Sequence, residues 1–207
     1  MEEAKRFMRY VLPGLTFFLE VIVAIYIEDG IEKAQTFLKL DLAITAFLVS
    51  GALGYIFSNL YYCYFWKISF SARTKLNYKK VIEKNIKIFE KSFGPIDINT
   101  LKQRDAFIKL NAYWQINKAE DYGVIENQVG NLNNILHSLG TSIILIIIGF
   151  IFGIFYLFHN CSLVYFIIVN LFIIFFLLAN YRQVRELLQS LYVSLFEIAF
   201  RNKKHNH

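Results

Sequence analysis

Two uninterrupted apolar blocks constrain this chain more than any other feature. Leu139 to Phe158 contains no charged residue, and neither does Ser162 to Tyr181. Each block is close to the roughly 20 residues that cross a hydrocarbon core as an α-helix. Two further stretches fit the same reading, giving four expected transmembrane helices: Tyr10–Ile27, Leu42–Trp66, Leu139–Phe158 and Ser162–Tyr181. The first is interrupted by Glu20, and the second is long enough to tilt or to run on beyond the bilayer. Hydrophobic residues make up 56% of the chain and charged ones 18%, against about 25% charged in soluble domains. This composition argues against a soluble enzyme, a disordered chain and a secreted disulfide scaffold. Tyr10 to Ile27 is long for the apolar region of a signal peptide, and no small-x-small cleavage site follows it.

Lysine and arginine near the span ends set the expected orientation. Lys5, Arg6 and Arg9 precede the first span. Lys67, Arg73, Lys75, Lys79 and Lys80 follow the second, and Arg182, Arg185, Arg201, Lys203 and Lys204 follow the fourth. The first connecting loop has Lys33 and Lys39 among acids, and the loop around His159 to Cys161 has none. Basic and non-basic flanks alternate. The expectation is a multi-pass protein of the cell membrane with both termini and the middle segment in the cytoplasm. Cys63 and Cys161 then lie on opposite sides and cannot pair within one chain. The net charge of +6 follows from these flanks and fits anionic lipid headgroups. It does not by itself argue for nucleic acid.

Between the second and third spans the pattern is that of a cytosolic helical hairpin. Ile82, Ile86, Phe89 and Phe93 share one face of a helix expected over Lys67 to Lys91. Lys79, Lys80, Lys84, Lys87 and Lys91 occupy the rest of that helix. Ser92-Phe93-Gly94-Pro95 ends it, and Asn99 or Thr100 is the expected cap of a second helix. Leu101, Ile108, Gln115, Tyr122, Val129 and Leu136 recur at intervals of seven along that second helix, a heptad seam with one polar interruption. After the fourth span, Val184, Leu187, Leu188, Leu191, Leu195 and Ile198 form an apolar stripe. Its polar face is poor in lysine, which favours packing on the hairpin over lying in the membrane interface. The expected fold is an all-α membrane protein divided into spans one and two (1–66), hairpin (67–138), spans three and four (139–181) and amphipathic tail (182–207).

Few residues suggest chemistry. Glu20 is the sharpest, because a carboxylate near the middle of a span costs roughly 3 kcal/mol on insertion scales. It must face other helices or water. Ser50, Gly54 and Ser58 stand four residues apart in the second span with Asn59 beside them, and Asn170 is alone in the fourth. Glu20, Ser50, Ser58, Asn59 and Asn170 are therefore the candidates to line or gate a polar path, with helix packing as the plainer reading. Gly149 and Gly153 form a small-residue pair in the third span, the kind that lets helices approach closely. With Tyr122 and Val129 of the seam they are candidates for packing or for a contact between copies. Tyr113-Trp114, Glu120-Asp121-Tyr122 and Asn131 to Asn134 offer acid, amide and aromatic groups to a cytosolic protein or nucleotide ligand. His137 reads as structural. No catalytic constellation, metal-ligand cluster or cofactor motif is present in the sequence, so the expectation is a non-enzymatic protein without metal or cofactor.

Two resemblances add to this. Arg9-Tyr10-Val11-Leu12-Pro13-Gly14 resembles the opening of small four-span proteins encoded beside prokaryotic CRISPR and other anti-phage systems. That likeness implies an effector that perturbs the cell membrane in antiviral defence, and it carries no residue role. Spans two to four, with a helical hairpin after the first of them, are similar in plan to the YidC/Oxa-type membrane-protein insertases. That family keeps a hydrophilic groove open to the cytosol, in several members with a basic residue. Here no Lys or Arg lies within Leu42–Trp66 or Leu139–Tyr181, and the intramembrane charge is the acid Glu20. The leading expectation is an oligomeric membrane effector, an ion-channel-like protein gated through its cytosolic helices. The alternative is an insertase or chaperone for membrane proteins.

Overall fold

The computed structural model describes residues 3, 7–37, 39–65, 77–117 and 123–205 of the 207-residue chain. All regular structure among them is helical. A π-helical turn, Phe7–Val11, leads into α1, Leu12–Asp29. Pro13 sits in the first turn of α1, where its missing N–H costs nothing. Gly30, at φ +86°, stops the helix and donates its N–H to the Tyr26 carbonyl. A short α2, Ile31–Phe37, follows, then α3, Leu40–Leu60, which closes in a second π-helical turn, Tyr61–Phe65. The hairpin helices are α4 (Tyr78–Lys84), α5 (Ile86–Phe93) and α6 (Gln103–Asn117). The long helices α7, Gly123–Tyr156, and α8, Leu163–His205, complete the chain.

Four helices are long and apolar enough to cross a membrane: Arg9–Asp29, Leu42–Cys63, Ile125–Tyr156 and Leu163–Arg201. They contain the four stretches expected from the sequence, apart from residues 64–66 at the end of the second, 157–158 at the end of the third and Ser162 at the start of the fourth. Trp66 and residues 67–76 lie outside the described residues. The last two helices extend well past their charge-free blocks, because nothing in 125–138 or 182–201 breaks an α-helix. Large apolar side chains such as Tyr165, Phe172, Phe175 and Phe176 stand exposed along α8. Exposed apolar surface on this scale is a liability in water and the normal condition of a helix in lipid.

The described chain divides into two compact units. One comprises residues 1–65 and 133–184, the other 66–132 and 185–207. The first holds α1, α2, α3 and most of the apolar length of α7 and α8. Its helices meet through small residues. A Cβ on Gly14 would collide with the Ser50 backbone, and one on Gly54 with the Tyr10 carbonyl, so α1 and α3 cross in backbone contact. Where lipid removes any hydrophobic drive between helices, this close approach supplies the dispersion contacts that hold them together. On another face of α1, Ala24 packs with Leu157 and Phe166, supported by Ile27, Phe150, Tyr156 and Leu163. At that end the loop after α7 is tied to α1. Asn160 Nδ2 donates to Glu28 Oε2 at 2.9 Å, and the Tyr156 hydroxyl donates to Asp29, which also pairs with Lys33 at 2.8 Å. Cys63 and Cys161 are free and exposed.

The second unit is an aromatic core. Phe89 stacks on Phe93 at 4.8 Å and lies 5.6 Å from Tyr113, while Tyr113 stacks on Phe200 at 4.5 Å. Phe107 meets Tyr192 at 5.0 Å and Tyr78 at 5.2 Å. The C-terminal part of α8 thus covers α4–α6 through Leu188, Leu195, Phe196 and Phe200, all buried. Packing on the hairpin is the arrangement that its lysine-poor polar face favoured.

Three local expectations are corrected here. The first hairpin helix is not continuous across 77–93. Asn85, at φ −123° and ψ 24°, separates α4 from α5, and its Nδ2 bonds back to the Val81 carbonyl. The second helix starts at Gln103 rather than after Asn99 or Thr100, which lie in a turn where the Asp97 side chain accepts the Asn99 N–H. Finally, the heptad seam does not run through α6. Ile108 and Gln115 are exposed, while Ala106, Leu110, Tyr113 and Trp114 are buried. A seam needs one helix alongside, whereas α6 faces a cluster drawn from α4, α5 and α8, which selects a different stripe. Gly94, at φ +77°, ends α5 as the Gly-Pro pair implies.

Candidate functional site

The candidate site lies in the first unit, where α1, α7 and α8 meet around Glu20. Its geometry follows from which faces of α1 are already committed. Gly14 binds one face of α1 to α3. Phe17, Glu20 and Ala24, at spacings of three and four, then share a second face. That face meets Gly149 of α7: a Cβ there would lie 2.8 Å from Glu20 Cβ and 3.5 Å from the Phe17 ring. One turn further along α7, Gly153 receives the ring of Phe166 from α8. The two glycines therefore serve the packing of this chain on itself, one for each neighbouring helix.

Burial of Glu20 is nearly complete, at 8% exposure, and the side chain of Asn170 on α8 lies against its carboxyl group. Asn170 is 3% exposed. Its Nδ2 donates to the Phe166 carbonyl at 3.2 Å, while its Oδ1 is buried without a hydrogen bond among the described residues. No charged side chain among them acts on Glu20. A carboxyl group set between an amide and a glycine is a poorly solvated polar contact inside an apolar bundle. Separating α1 from α8 would expose both groups together.

The other polar candidates of the apolar helices lie elsewhere. Ser50 is fully buried, but at the α1–α3 crossing, with its Oγ donating to the Phe47 carbonyl at 2.7 Å. Ser58 is buried and Asn59 exposed. Of the five polar candidates, the structure brings Glu20 and Asn170 together and does not gather Ser50, Ser58 and Asn59 around them. Val129 is buried within the second unit of its own chain. Tyr122, with Glu120 and Asp121, lies outside the described residues. Tyr113 and Trp114 are not presented to a ligand: both are buried, and Trp114 Nε1 donates to Glu126 Oε1 at 3.0 Å. Burial pushes the hydroxyls of Tyr78 and Tyr113 above the ordinary tyrosine range. Among the described residues no three His, Cys, Asp or Glu side chains could hold a metal ion.

One polar cluster went unseen in the sequence. At the end of the first unit where both π-helical turns lie, the Tyr61 hydroxyl is 2.6 Å from that of Tyr181. The Tyr61 ring meets the His137 imidazole edge-on at 5.2 Å, and Tyr62 stacks on the same imidazole at 5.7 Å. Gly140 leaves room for the Tyr61 ring. His137 is 4% exposed, and at the same end the Arg9 guanidinium lies 5.4 Å from the Tyr10 ring centre. Tyr61 and Tyr181 are 120 positions apart, so no local pattern joins them. The one available hint was a histidine beside small polar residues at the edge of an apolar block. No protein-family model, curated protein or solved structure matches the chain.

Proposed function

We propose that this chain is a multi-pass membrane protein acting as an oligomeric, channel-like effector in prokaryotic antiviral defence. In this reading its cytosolic helices control the Glu20–Asn170 contact. One observation carries it: a mid-helix carboxyl group sealed against Gly149 and Asn170 with no charged partner among the described residues. Such a contact is costly to form in lipid, and it is easily exchanged for water once α1 moves away from α8. The helices that carry its two partners, α7 and α8, contribute residues to both units. A ligand or protein acting on the hairpin helices can therefore bias the contact through continuous helix. The sealed state corresponds to rest, and its release to permeation along a path formed between copies.

The test is ion flux from liposomes containing the full chain under a membrane potential, alongside growth of cells expressing it. Asn170→Leu and Glu20→Gln change the contact while keeping side-chain size, and both should raise flux and growth inhibition relative to the unaltered chain. Absence of flux from the unaltered chain and from both variants, all correctly inserted, would refute the channel-like reading. If such a chain instead promoted insertion of a single-span substrate, the insertase reading would replace it. The observation favouring that alternative is the placement of the hairpin between α3 and α7.

A further inference from the structure

The cluster at the π-helical end of the first unit is not used by the gating reading. Its two turns, Phe7–Val11 and Tyr61–Phe65, are local rearrangements of a kind found often at functional sites. They belong to α1 and α3, which touch there: Tyr10 and Tyr55 meet edge-on at 5.5 Å, and the Tyr10 carbonyl abuts Gly54. Around them stand Tyr61, Tyr62 and His137, with Tyr181 bonded to Tyr61. This end also coincides with the ends of two apolar helices, at Arg9 and Cys63. Tyrosines gathered at that level form an interfacial belt.

The charged Arg9 guanidinium acts on the buried His137 imidazole here. No ion pair is formed by Arg9 among the described residues, and its Nε is buried without a hydrogen-bond acceptor. A buried guanidinium N–H without an acceptor costs free energy, more so than a neutral donor. One turn before His137 on the same face of α7, the Oδ1 of Asn133 is buried without a donor. The missing complement is an anion that accepts from arginine and also carries a hydrogen-bond donor. A phosphodiester bearing a hydroxylated or amine-bearing headgroup has both parts, and arginine recognises phosphate through its fork of N–H groups.

We propose that this end of the four-helix unit binds the phosphate group of an anionic phospholipid, with Arg9 as the principal donor. The His137 imidazole lines the site beside it, and Asn133 receives the headgroup hydroxyl. The site does not depend on conduction, so a chain that passes no ions still tests it.

The experiment uses the full chain in mild detergent. Native mass spectrometry counts phosphatidylglycerol retained after detergent exchange, and thermal melting follows added short-chain phosphatidylglycerol, phosphatidylcholine or inorganic phosphate. The unaltered chain should retain phosphatidylglycerol and melt higher with it than with phosphatidylcholine. Arg9→Gln should weaken retention about tenfold or more, in line with losing a charge-assisted hydrogen bond. Arg9→Lys should keep part of it, and Lys84→Gln, on the exposed face of α4, should keep all of it. Protection by phosphatidylglycerol alone assigns the site to the lipid. Equal protection by inorganic phosphate, lost in Arg9→Gln, supports the phosphate site but removes the lipid as its necessary source. Equal retention by the unaltered chain and Arg9→Gln, or no retention by either, overturns the proposal. Because Arg9→Gln must melt like the unaltered chain without lipid to be scored, Arg9→Lys provides the reading if it does not.

Discussion

Replacing Gly54 by alanine tests the packing of the first unit at its most demanding point. A Cβ at Gly54 points into the Tyr10 carbonyl, and the three nearest atoms all belong to the Tyr10 backbone. A side chain can rotate away from such a clash, but backbone cannot, so α1 must shift away from α3. Overpacking of this kind costs about 1–3 kcal/mol. It acts against a gain of up to about 1 kcal/mol for alanine over glycine in a helix. Gly51 supplies the control. A Cβ there would sit 3.7 Å from Val11 Cγ2, an ordinary contact. Gly51→Ala should therefore be neutral or slightly stabilising, whereas Gly54→Ala should be a net destabiliser by about 1–2 kcal/mol, roughly a five- to thirtyfold shift in equilibrium. Gly14→Ala meets the Ser50 backbone and should behave like Gly54→Ala. The double variant should cost less than the sum, because one separation of the helices relieves both clashes. Reversible unfolding in mixed micelles, followed by circular dichroism, measures all four. Equal stability of the Gly51 and Gly54 variants would refute the α1–α3 crossing and the account of the small-residue stripe built on it.

Further outcomes follow from other parts of the molecule. Phe89→Ala removes a fully buried ring from the aromatic core and should cost about 3–5 kcal/mol. Ile116→Ala, at a residue 69% exposed, should stay within about 0.5 kcal/mol. Hydrogen exchange of amides in 77–117 compares the two variants. The raised hydroxyls of Tyr78 and Tyr113 stabilise the second unit fully below the unfolded tyrosine value of about 10. Above that value the unfolded chain ionises first, so stability falls as pH rises, and Tyr78→Phe should flatten this alkaline limb of the melting profile. Glu126→Leu removes the acceptor of the Trp114 indole; in a Trp66→Phe background, the emission of Trp114 should change while far-ultraviolet circular dichroism does not. In single-cysteine labelling, Gly30 and Asn160 positions should react from outside the cell and Gly94 and Asn202 positions from inside. Opposite reactivity of Gly30 and Asn160 would contradict the bond from Asn160 to the Ile27 carbonyl.

Apolar periodicity and charge placement determined the helices. Charge-free blocks leave a chain no alternative to long apolar helices, and Gly94-Pro95 stops one wherever it occurs. Glu20 and Asn170 were each visible as a polar residue in an apolar run, because the cost of such a residue depends on its own surroundings and not on its partner. Their pairing was only one of several options. It was decided when Gly14 and Gly54 committed one face of α1 to α3 and turned Glu20 toward Gly149 and α8. That choice depends on helix crossing, which a linear pattern does not encode. The same limit explains the seam expected through Ile108 and Gln115. Interval counting finds a stripe, but the partner decides which stripe is buried, and the partner of α6 comes from three separate elements. It also explains why the Tyr61–His137–Tyr181 cluster was missed. Its members lie far apart in sequence and look ordinary singly; only the tertiary structure brings their rings and hydroxyls together.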